Sequence, residues 1–273
     1  MTITAATKVF AVIGDPVSHS LSPLMHNGWF GDHGIDAVYV ALPLRAADPV
    51  AAIRAIKGFG FSGLNVTVPY KETAAQAADR AGVAVANVLR RDEDGLLSAF
   101  NTDGQGFIDA LSEAAPDWRA RVKRVLIVGA GGAAVGIGHA LAPFVDTIHF
   151  ANRTHARGEA AAAGLSNGRV LRWEDMERGF GAADLIVQTT TLGMEGQPEH
   201  DWPVALCRPT AIVADIVYRP LETALLRGAR ARGLVAMDGI GMLIHQGARA
   251  FELWFGVRPD PAKARARLTA ALA

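Results

Sequence analysis

The sequence is almost without cysteine. Cys207 is the single cysteine among 273 residues, so an internal disulfide and a cysteine-rich zinc site are both excluded. So few thiols are typical of proteins in a reducing compartment. The polar first residues also lack the apolar stretch of a secretory signal. We therefore expect a cytoplasmic protein without a structural metal.

The sequence also lacks an excess of charge of either sign. It has 27 basic and 27 acidic residues, which gives a formal net charge of zero. No overall attraction to nucleic acid or to an anionic membrane follows from that balance. Lysine is scarce as well, and most of the basic residues are arginine. The few lysines, Lys71 among them, are therefore candidates for specific roles.

One segment lacks charge altogether. Residues 125–145 contain no Asp, Glu, Lys or Arg, and the segment is long enough to span a bilayer. It also contains five glycines and Pro143, with the glycines where a strand would turn into a helix. This pattern favours a buried α/β unit over a membrane helix.

The second half of the sequence alternates apolar strand candidates with helical stretches. This layout is typical of a Rossmann-type, doubly wound parallel sheet. The predicted strands are 122–128, 147–151, 185–188, 211–215 and 234–237, and the predicted helices are 133–142, 157–163 and 222–232.

The first half alternates in the same way and ends in a hairpin. Ser22 before Pro23 predicts a helix start, with the Ser22 hydroxyl as N-cap. The predicted strands are 9–13, 37–42 and 63–67, the helices 23–30, 49–57 and 70–79, and the hairpin strands 85–91 and 96–99. A helix should then lead to Trp118, and C-terminal helices are predicted at 242–255 and 261–272.

The predicted fold is therefore α/β with two domains. Residues 1–103 form an N-terminal α/β substrate domain, to which the C-terminal helices in 240–273 return. Residues 104–239 form the Rossmann domain. The number of residues allows two domains of ordinary size.

A glycine loop follows the first strand of the second half. The residues from Gly129 to Ala134 fit the pattern G-x-G-x-x-A. Gly129 permits a tight turn, Gly131 lets the backbone approach a pyrophosphate, and the small Ala134 keeps helix and strand close. Free amides at the helix start and the helix dipole favour phosphate. With a strand on each side of the loop and helix, the loop predicts a dinucleotide site.

The end of the next strand indicates which dinucleotide. An NAD site places an Asp or Glu there to bind the ribose hydroxyls. This sequence instead has Asn152, Arg153 and Thr154, followed by Arg157. Guanidinium groups and a hydroxyl suit a 2′-phosphate, which a carboxylate would repel. We predict NADP as the cofactor of an oxidoreductase.

Three segments of the first half are rich in polar side chains. Hydroxyls at 18–22 lie between a strand end and a helix start, which suits a carboxylate ligand. Asn65 and Thr67 lie on one face of a strand, and Lys71 starts the helix that follows. The third segment, 101–104, ends the hairpin and contains Asp103.

These segments together resemble the shikimate dehydrogenase family over nearly the whole chain. The matching motifs are Ser20-Leu21-Ser22-Pro23, Asn65-Val66-Thr67-Val68-Pro69-Tyr70-Lys71-Glu72, Asn101-Thr102-Asp103-Gly104, the glycine loop, Asn152-Arg153-Thr154 with Arg157, Asp215-Ile216-Val217-Tyr218, and Asp238-Gly239-Ile240-Gly241-Met242-Leu243 with Gln246. The resemblance implies NADP-dependent reduction of 3-dehydroshikimate to shikimate in aromatic amino-acid biosynthesis.

The resemblance also implies roles for individual residues. Ser20, Ser22 and Tyr218 would hold the substrate carboxylate, and Asn65, Thr67, Asn87 and Gln246 would contact or surround the ring hydroxyls. Lys71 and Asp103 would be the catalytic pair, since a ketone reduced by hydride needs a proton that an ammonium can supply. The cofactor would contact Gly129, Ala130, Gly131, Gly132, Ala133, Asn152, Arg153, Thr154, Arg157, Thr190, Gly193, Met194, Gly239 and Met242.

Two departures from the family pattern leave the substrate open. Val88 stands where the family usually has threonine, and Ser98-Ala99-Phe100 replaces a lead that normally contains glycine. Both lie near the expected ring-binding residues, so quinate or an amino-substituted shikimate is the alternative substrate. A non-catalytic nucleotide sensor is a third alternative, although both Lys71 and Asp103 are present. No nucleic-acid, membrane or metal partner is expected, and the oligomeric state is left open, with a homodimer as one arrangement.

Overall fold

A computed structural model describes residues 2–272, which divide into two compact α/β units. The first unit contains residues up to Thr102 together with Gln246–Ala271, and the second contains Asp103–His245. The predicted domains end instead at residues 103 and 239, and these limits stay a prediction.

The first unit is built on a mixed six-stranded sheet. Its order is β2-β1-β3-β5-β6-β4. β1 is parallel to both β2 and β3, whereas β5 is antiparallel to β3 and to β6. The predicted hairpin is therefore confirmed. The strands are β1 Lys8–Gly14, β2 Ala37–Pro43, β3 Gly63–Val66, β4 Arg80–Ala81, β5 Val88–Arg91 and β6 Leu97–Phe100.

Three helices connect the parallel strands and the hairpin of this unit. They are α1 Ser22–Asp32, α2 Pro49–Ala55 and α3 Lys71–Ala77. The start of α1 differs from the prediction. Its N-cap is Leu21, without a side-chain hydrogen bond, and Ser22 is already inside the helix. The N-cap role predicted for Ser22 is wrong, because Ser22 lies inside the first turn and its buried hydroxyl is near the phenol of Tyr39.

Both faces of the first sheet are buried. Ala11 and Ile13 of β1 face one apolar cluster with Leu64 of β3. On the other face, Phe10 packs its ring on Phe30 of α1, with 5.6 Å between ring centroids. A central parallel strand covered on both faces is apolar throughout rather than alternating, which is why β1 is so apolar in sequence.

The second unit is an all-parallel six-stranded sheet. Its order, β12-β11-β10-β7-β8-β9, confirms the predicted doubly wound fold. The strands are β7 Arg124–Val128, β8 Thr147–Ala151, β9 Gly168–Leu171, β10 Leu185–Gln188, β11 Ile212–Asp215 and β12 Val235–Met237. Strand β9 was not predicted, because a short, half-exposed edge strand with an arginine lacks a clear apolar pattern.

Six helices cover this second sheet. They are α4 Asp103–Ala114, α5 Trp118–Arg121, α6 Gly132–Leu141, α7 His155–Ala163, α8 Met176–Ala182 and α9 Ala224–Ala231. Helix α4 packs closely on α6, since a side chain at Gly104 would collide with the carbonyl of Gly136. Pro116 lies between α4 and α5, so the helix predicted to reach Trp118 is divided in two.

Two further helices follow β12. They are α10 Gly239–Phe255 and α11 Pro261–Leu272, close to the predicted bounds. The residues of α10 from Gln246 onward belong to the first unit, as does α11 up to Ala271.

The uncharged segment 125–145 forms a strand, a turn and a helix. It contains most of β7, the glycine loop and all of α6. Within residues 2–272 no helix has the length and apolar character needed to cross a membrane. The α/β interpretation of this segment is therefore correct.

Candidate active site

The glycine loop joins β7 to α6 and leaves room for a ligand beside its backbone. Gly129 has a φ of +116°, and a side chain there would collide with Thr189 after the neighbouring strand β10. Gly131 is the N-cap of α6, and a Cβ at that position would meet no protein atom within 4 Å. Ala134 is fully buried against the strand. The two glycines thus have separate roles. Gly129 forms the tight turn, and Gly131 leaves the backbone open to a pyrophosphate.

Two arginines follow β8, where an NAD site would have a carboxylate. Arg153 and Arg157 are exposed, and neither forms an ion pair with any residue in the described part of the chain. The side chain of Asn152 is used locally, since its Nδ2 donates to the carbonyl of Thr154 over 2.9 Å. Two unpaired guanidinium groups at this point fit a 2′-phosphate.

Gln188 organises the loop of residues 189–194 that follows β10. It is fully buried, and its Nε2 donates to the carbonyls of Thr190 and Leu192 over 3.2 and 3.0 Å. Its Oε1 accepts the amide hydrogen of Thr190. Because β10 is the neighbour of β7 at the point where strand order reverses, this loop lies beside the glycine loop.

Gln188 was not among the site residues predicted from the sequence. A glutamine that ends an otherwise apolar strand is the available signal, because a buried amide must find partners. Thr190, Gly193 and Met194, which were predicted to contact the nicotinamide, lie on the loop that it holds. Their contact with the cofactor stays a prediction.

Asp215 organises the chain after β11 in the way that Gln188 organises the loop after β10. Its carboxylate accepts hydrogen bonds from Thr223 Oγ1 at 2.8 Å and from the amide of Val217 at 3.0 Å. Burial raises the pKa of Asp215 to about 6, although both hydrogen bonds act in the opposite direction. The ordered segment carries Tyr218, whose pKa burial also raises. The carboxylate-binding role of Tyr218 stays a prediction.

Gly239 and Met242 each have a structural reason for their identity. A side chain at Gly239, the first residue of α10, would collide with the carbonyl oxygens of Ile216 and Val217. Met242 is buried in the apolar core of the second unit. Their predicted position near the nicotinamide stays a prediction.

In the first unit, three of the predicted substrate-binding side chains join one hydrogen-bond network. Asn65 Nδ2 donates to the carbonyl of Asn87 over 3.2 Å, and Asn87 Nδ2 donates to Gln246 Oε1 over 3.2 Å. Tyr39 Oη donates to Asn65 Oδ1 over 2.7 Å, and the hydroxyl of a fourth predicted residue, Ser22, is close enough to the phenol to counter the rise in its pKa that burial causes. We call Ser22, Tyr39, Asn65, Asn87 and Gln246 the polar network.

Asn87 also holds the residue that ends the hairpin. Its Oδ1 accepts the amide hydrogen of Thr102 at 2.7 Å, and its Nδ2 donates to Thr102 Oγ1 over 2.9 Å. Asn87 and Thr102 are nearly fully buried. The side chain of Asn87 therefore orders the approach to Asp103, a function that its sequence position did not suggest.

Thr67 and Ser20 lie at the ends of neighbouring strands. The amide of Thr67 donates to the carbonyl of Ile13 in β1 over 2.9 Å, and a side chain at Gly14 would strike the Thr67 methyl group. Ser20 Oγ accepts the amide hydrogen of Ser22 at 3.3 Å. The carboxyl ends of β1 and β3 thus meet at one edge of the sheet, with hydroxyls at that edge.

Lys71 and Asp103 each begin a helix. Lys71 is the half-buried first residue of α3 in the first unit. Asp103 is the first residue of α4 in the second unit and is 4% exposed. A buried carboxylate needs hydrogen bonds or a cation, which is consistent with a specific role. The pairing of these two residues in catalysis stays a prediction.

No metal site emerges from the described residues. Within 2–272, no three His, Cys, Asp or Glu side chains are grouped so that they could hold an ion. Cys207 is buried, and burial raises the pKa of its thiol, so the reactive thiolate is disfavoured. His245 is nearly buried and bonds Glu113 through Nε2 over 2.7 Å.

Comparison with known proteins identifies the family at both ends of the chain. Residues 12–88 match the profile described as the shikimate dehydrogenase substrate binding domain. Residues 239–269 match the shikimate 5′-dehydrogenase C-terminal domain. The first match contains Ser20, Asn65 and Lys71, and the second contains Gln246.

Individual relatives match over nearly their whole length. An NADP(+) shikimate dehydrogenase of Methylocella silvestris is 45% identical over 260 residues, which are 93% of this chain and 92% of that one. The crystal structure of a Thermus thermophilus shikimate 5-dehydrogenase with NADP(H) and shikimate has a TM-score of 0.84 at 33% identity, covering 97% of this chain and 100% of that one. A Corynebacterium glutamicum quinate dehydrogenase with NAD has a TM-score of 0.89 at 30% identity, covering 97% and 99%. This chain belongs to the shikimate dehydrogenase family.

Proposed function

We propose that this chain catalyses the reversible NADP-dependent reduction of 3-dehydroshikimate to shikimate, a step of aromatic amino-acid biosynthesis. The observation that carries the proposal is the polar network of the first unit. Its hydroxyl and amide groups converge from α1, β2, β3 and α10, which suits a small carboxylate with several ring hydroxyls. The second unit independently offers a dinucleotide-binding loop. The curated relative of Methylocella silvestris named above carries the same activity in its name.

Each group of the chain has a distinct task in this proposal. The nicotinamide, when bound, supplies or accepts the hydride. Ser20, Ser22 and Tyr218 hold the substrate carboxylate through their hydroxyls, and Asn65 binds a ring hydroxyl. Lys71 Nζ gives a proton to the carbonyl oxygen as it becomes an alkoxide, and takes the proton back in the reverse direction.

Asp103 is the proposed partner of Lys71. A carboxylate favours the charged form of an ammonium and orients it, and it can accept a hydrogen bond from a neighbouring substrate hydroxyl. Both tasks are carried over from the family resemblance, supported by the burial of Asp103 at the start of α4.

NADP is the proposed cofactor because of the two unpaired arginines after β8. Arg153→Ala and Arg157→Ala should each raise KM for NADP by several-fold and leave KM for NAD nearly unchanged, because only NADP has the 2′-phosphate. Arg230→Ala is the matched control, since Arg230 is exposed in the same unit but paired with Glu222. Equal or better use of NAD by the unaltered protein would refute this choice.

The substitutions near the ring-binding residues bear on the choice between shikimate and quinate. Val88 is fully buried in β5 beside Asn65, so it replaces the usual threonine hydroxyl with a methyl group of similar size. The Ser98 hydroxyl donates to Asp92, so it is engaged away from the polar network. Neither change introduces a group that favours quinate. We therefore place shikimate first, with quinate and amino-substituted shikimate as alternatives.

One panel of assays separates these alternatives. Initial rates are measured with shikimate and quinate, each with NADP+ and with NAD+, and with both dehydro forms in reverse. The proposal expects the highest kcat/KM for shikimate with NADP+. A higher value with quinate would assign a paralogous activity, and nucleotide binding without turnover of any substrate would favour a sensor.

Location and assembly are parts of the same proposal. A cytoplasmic location fits a chain with a single cysteine, which is free and buried, because proteins of reducing compartments rarely contain disulfides. A homodimer is the proposed assembly. Light scattering on the purified chain measures this directly.

A further inference from the structure

We propose that Tyr39 is a positioning residue, which fixes the orientation of the Asn65 side-chain amide so that one N–H of Asn65 is left for the substrate. The inference rests on the proposed function and adds a residue that no sequence motif singled out. Tyr39 lies in β2 and is 1% exposed, so its phenol cannot meet a ligand directly. Any effect it has on the substrate must pass through its neighbours.

The hydrogen bonds of Asn65 determine which way its amide faces. Tyr39 Oη lies 2.7 Å from Oδ1, and the carbonyl of Asn87 lies 3.2 Å from Nδ2. A carbonyl can only accept, so the nitrogen must face Asn87 and the oxygen must face Tyr39. The orientation of the amide is thereby fixed, and one of its two N–H groups remains for a ligand. Asn65 is therefore set to bind an acceptor oxygen, such as that of a substrate hydroxyl.

The position of Tyr39 is itself fixed from helix α1. Asn27 pairs with its backbone in both directions: Nδ2 donates to the Tyr39 carbonyl and Oδ1 accepts the Tyr39 amide hydrogen, both over 2.8 Å. The ring of His26 stacks on the phenol at 4.4 Å between centroids, with 9° between the planes. Two consecutive residues of α1 thus hold both the backbone and the ring of Tyr39.

The same helix begins with Ser22, whose hydroxyl is close enough to the phenol to counter the rise in its pKa that burial causes. Ser22 is expected to bind the substrate carboxylate and Asn65 a ring hydroxyl. Tyr39 therefore lies between the residues expected to hold the two ends of one ligand, and its hydrogen bond fixes the end formed by Asn65.

Tyr39→Phe tests the inference, because it keeps the ring that stacks on His26 and removes the oxygen alone. We expect KM for shikimate to rise roughly tenfold, the size of effect expected when one buried hydrogen bond is lost. KM for NADP should stay within about twofold, since the nucleotide loop belongs to the other unit. An unchanged KM for shikimate in an active enzyme would overturn the inference.

A double-mutant cycle shows whether Tyr39 acts through Asn65. Tyr39→Phe is introduced both into the unaltered protein and into Asn65→Ala. If Asn65 is the route, the phenylalanine changes KM for shikimate by less than about twofold in the Asn65→Ala background. A full tenfold rise in both backgrounds would mean that Tyr39 acts by a general structural effect, and would overturn the inference.

Tyr70→Phe is the matched control. Tyr70 is the other tyrosine of the first unit, and its hydroxyl donates to the carbonyl of Leu44 over 2.7 Å, outside the polar network. KM for shikimate should stay near that of the unaltered protein. A rise equal to that of Tyr39→Phe would count against a specific role for Tyr39.

Failure of this inference is distinguishable from failure of the proposed function. If the unaltered protein does not oxidise shikimate, the function is wrong whatever Tyr39 does.

Discussion

Lys71 carries the proton in the proposed reaction, as the half-buried first residue of α3. Lys71→Ala should lower kcat by roughly 10²–10⁴-fold, the contribution typical of a positioned acid–base group. Steady-state kinetics with shikimate and NADP+ measures the change. A variant that raised only KM, with kcat intact, would mean that Lys71 binds the substrate without transferring a proton.

His26 is fully buried, and neither ring nitrogen has a hydrogen-bond partner among the described residues. Burial lowers its pKa from 6.5 to about 3. A base with a depressed folded-state pKa stays neutral while the unfolded chain takes up a proton below pH 6.5. Its contribution to stability is therefore fully present above pH 6.5 and is lost as the pH falls towards 3.

His26→Phe should remove this dependence while keeping an aromatic ring against Tyr39. The free energy of unfolding of the unaltered protein should fall relative to the variant by about 1.4 kcal/mol per pH unit below 6.5. Denaturant titrations at pH 7, 6 and 5 measure the difference between the two proteins. This comparison isolates His26 from Asp215, whose raised pKa of about 6 acts in the opposite direction. Parallel pH profiles would contradict the prediction.

At the scale of elements, the junction of β7 and α6 uses its glycines for different purposes. Gly131→Ala introduces a methyl group into open space, so the fold should be unaffected and only the approach of the pyrophosphate obstructed. Gly129→Ala forces a side chain onto Thr189 at a φ of +116°. This variant should be destabilised by strain of about 1–3 kcal/mol.

Thermal unfolding and nucleotide titration of both variants test this difference. Gly131→Ala should keep the Tm of the ligand-free protein and show a raised KM for NADP. Gly129→Ala should lose several degrees of Tm before any ligand is added. The assignment of roles would be contradicted if Gly131→Ala bound NADP normally.

At the scale of the whole molecule, NADP and shikimate use different sets of residues, so each ligand should stabilise the protein in the absence of the other. At a concentration of about 100 Kd, a ligand adds roughly 2.7 kcal/mol to the free energy of unfolding. NADP should therefore raise the Tm by several degrees, more than NAD at equal concentration. Shikimate should also raise the Tm.

Asn65→Ala distinguishes the two contributions. It should reduce the shift produced by shikimate and keep the shift produced by NADP, because Asn65 lies in the first unit and the glycine loop in the second. Differential scanning fluorimetry suffices for the comparison. Loss of both shifts in this variant would contradict separate binding.

Much of this molecule is determined by local sequence. The apolar strands of the second unit, the glycine loop and the arginines after β8 are each readable within a few residues, because strand burial, turn geometry and phosphate binding depend on adjacent positions. The two-unit α/β fold followed from the order of those elements. The edge strand β9 was missed because its half-exposed residues carry no such pattern.

The tertiary structure decided what no local pattern contains. Ser22 looked like a helix cap, but it lies inside the helix with its hydroxyl near Tyr39, which is distant in sequence and close only once α1 lies on β2. The amide of Asn65 is oriented by Tyr39 and Asn87, and Gln188 and Asp215 find partners only between folded loops. Buried polar groups must be satisfied, and which neighbour satisfies them depends on packing rather than on spacing along the chain.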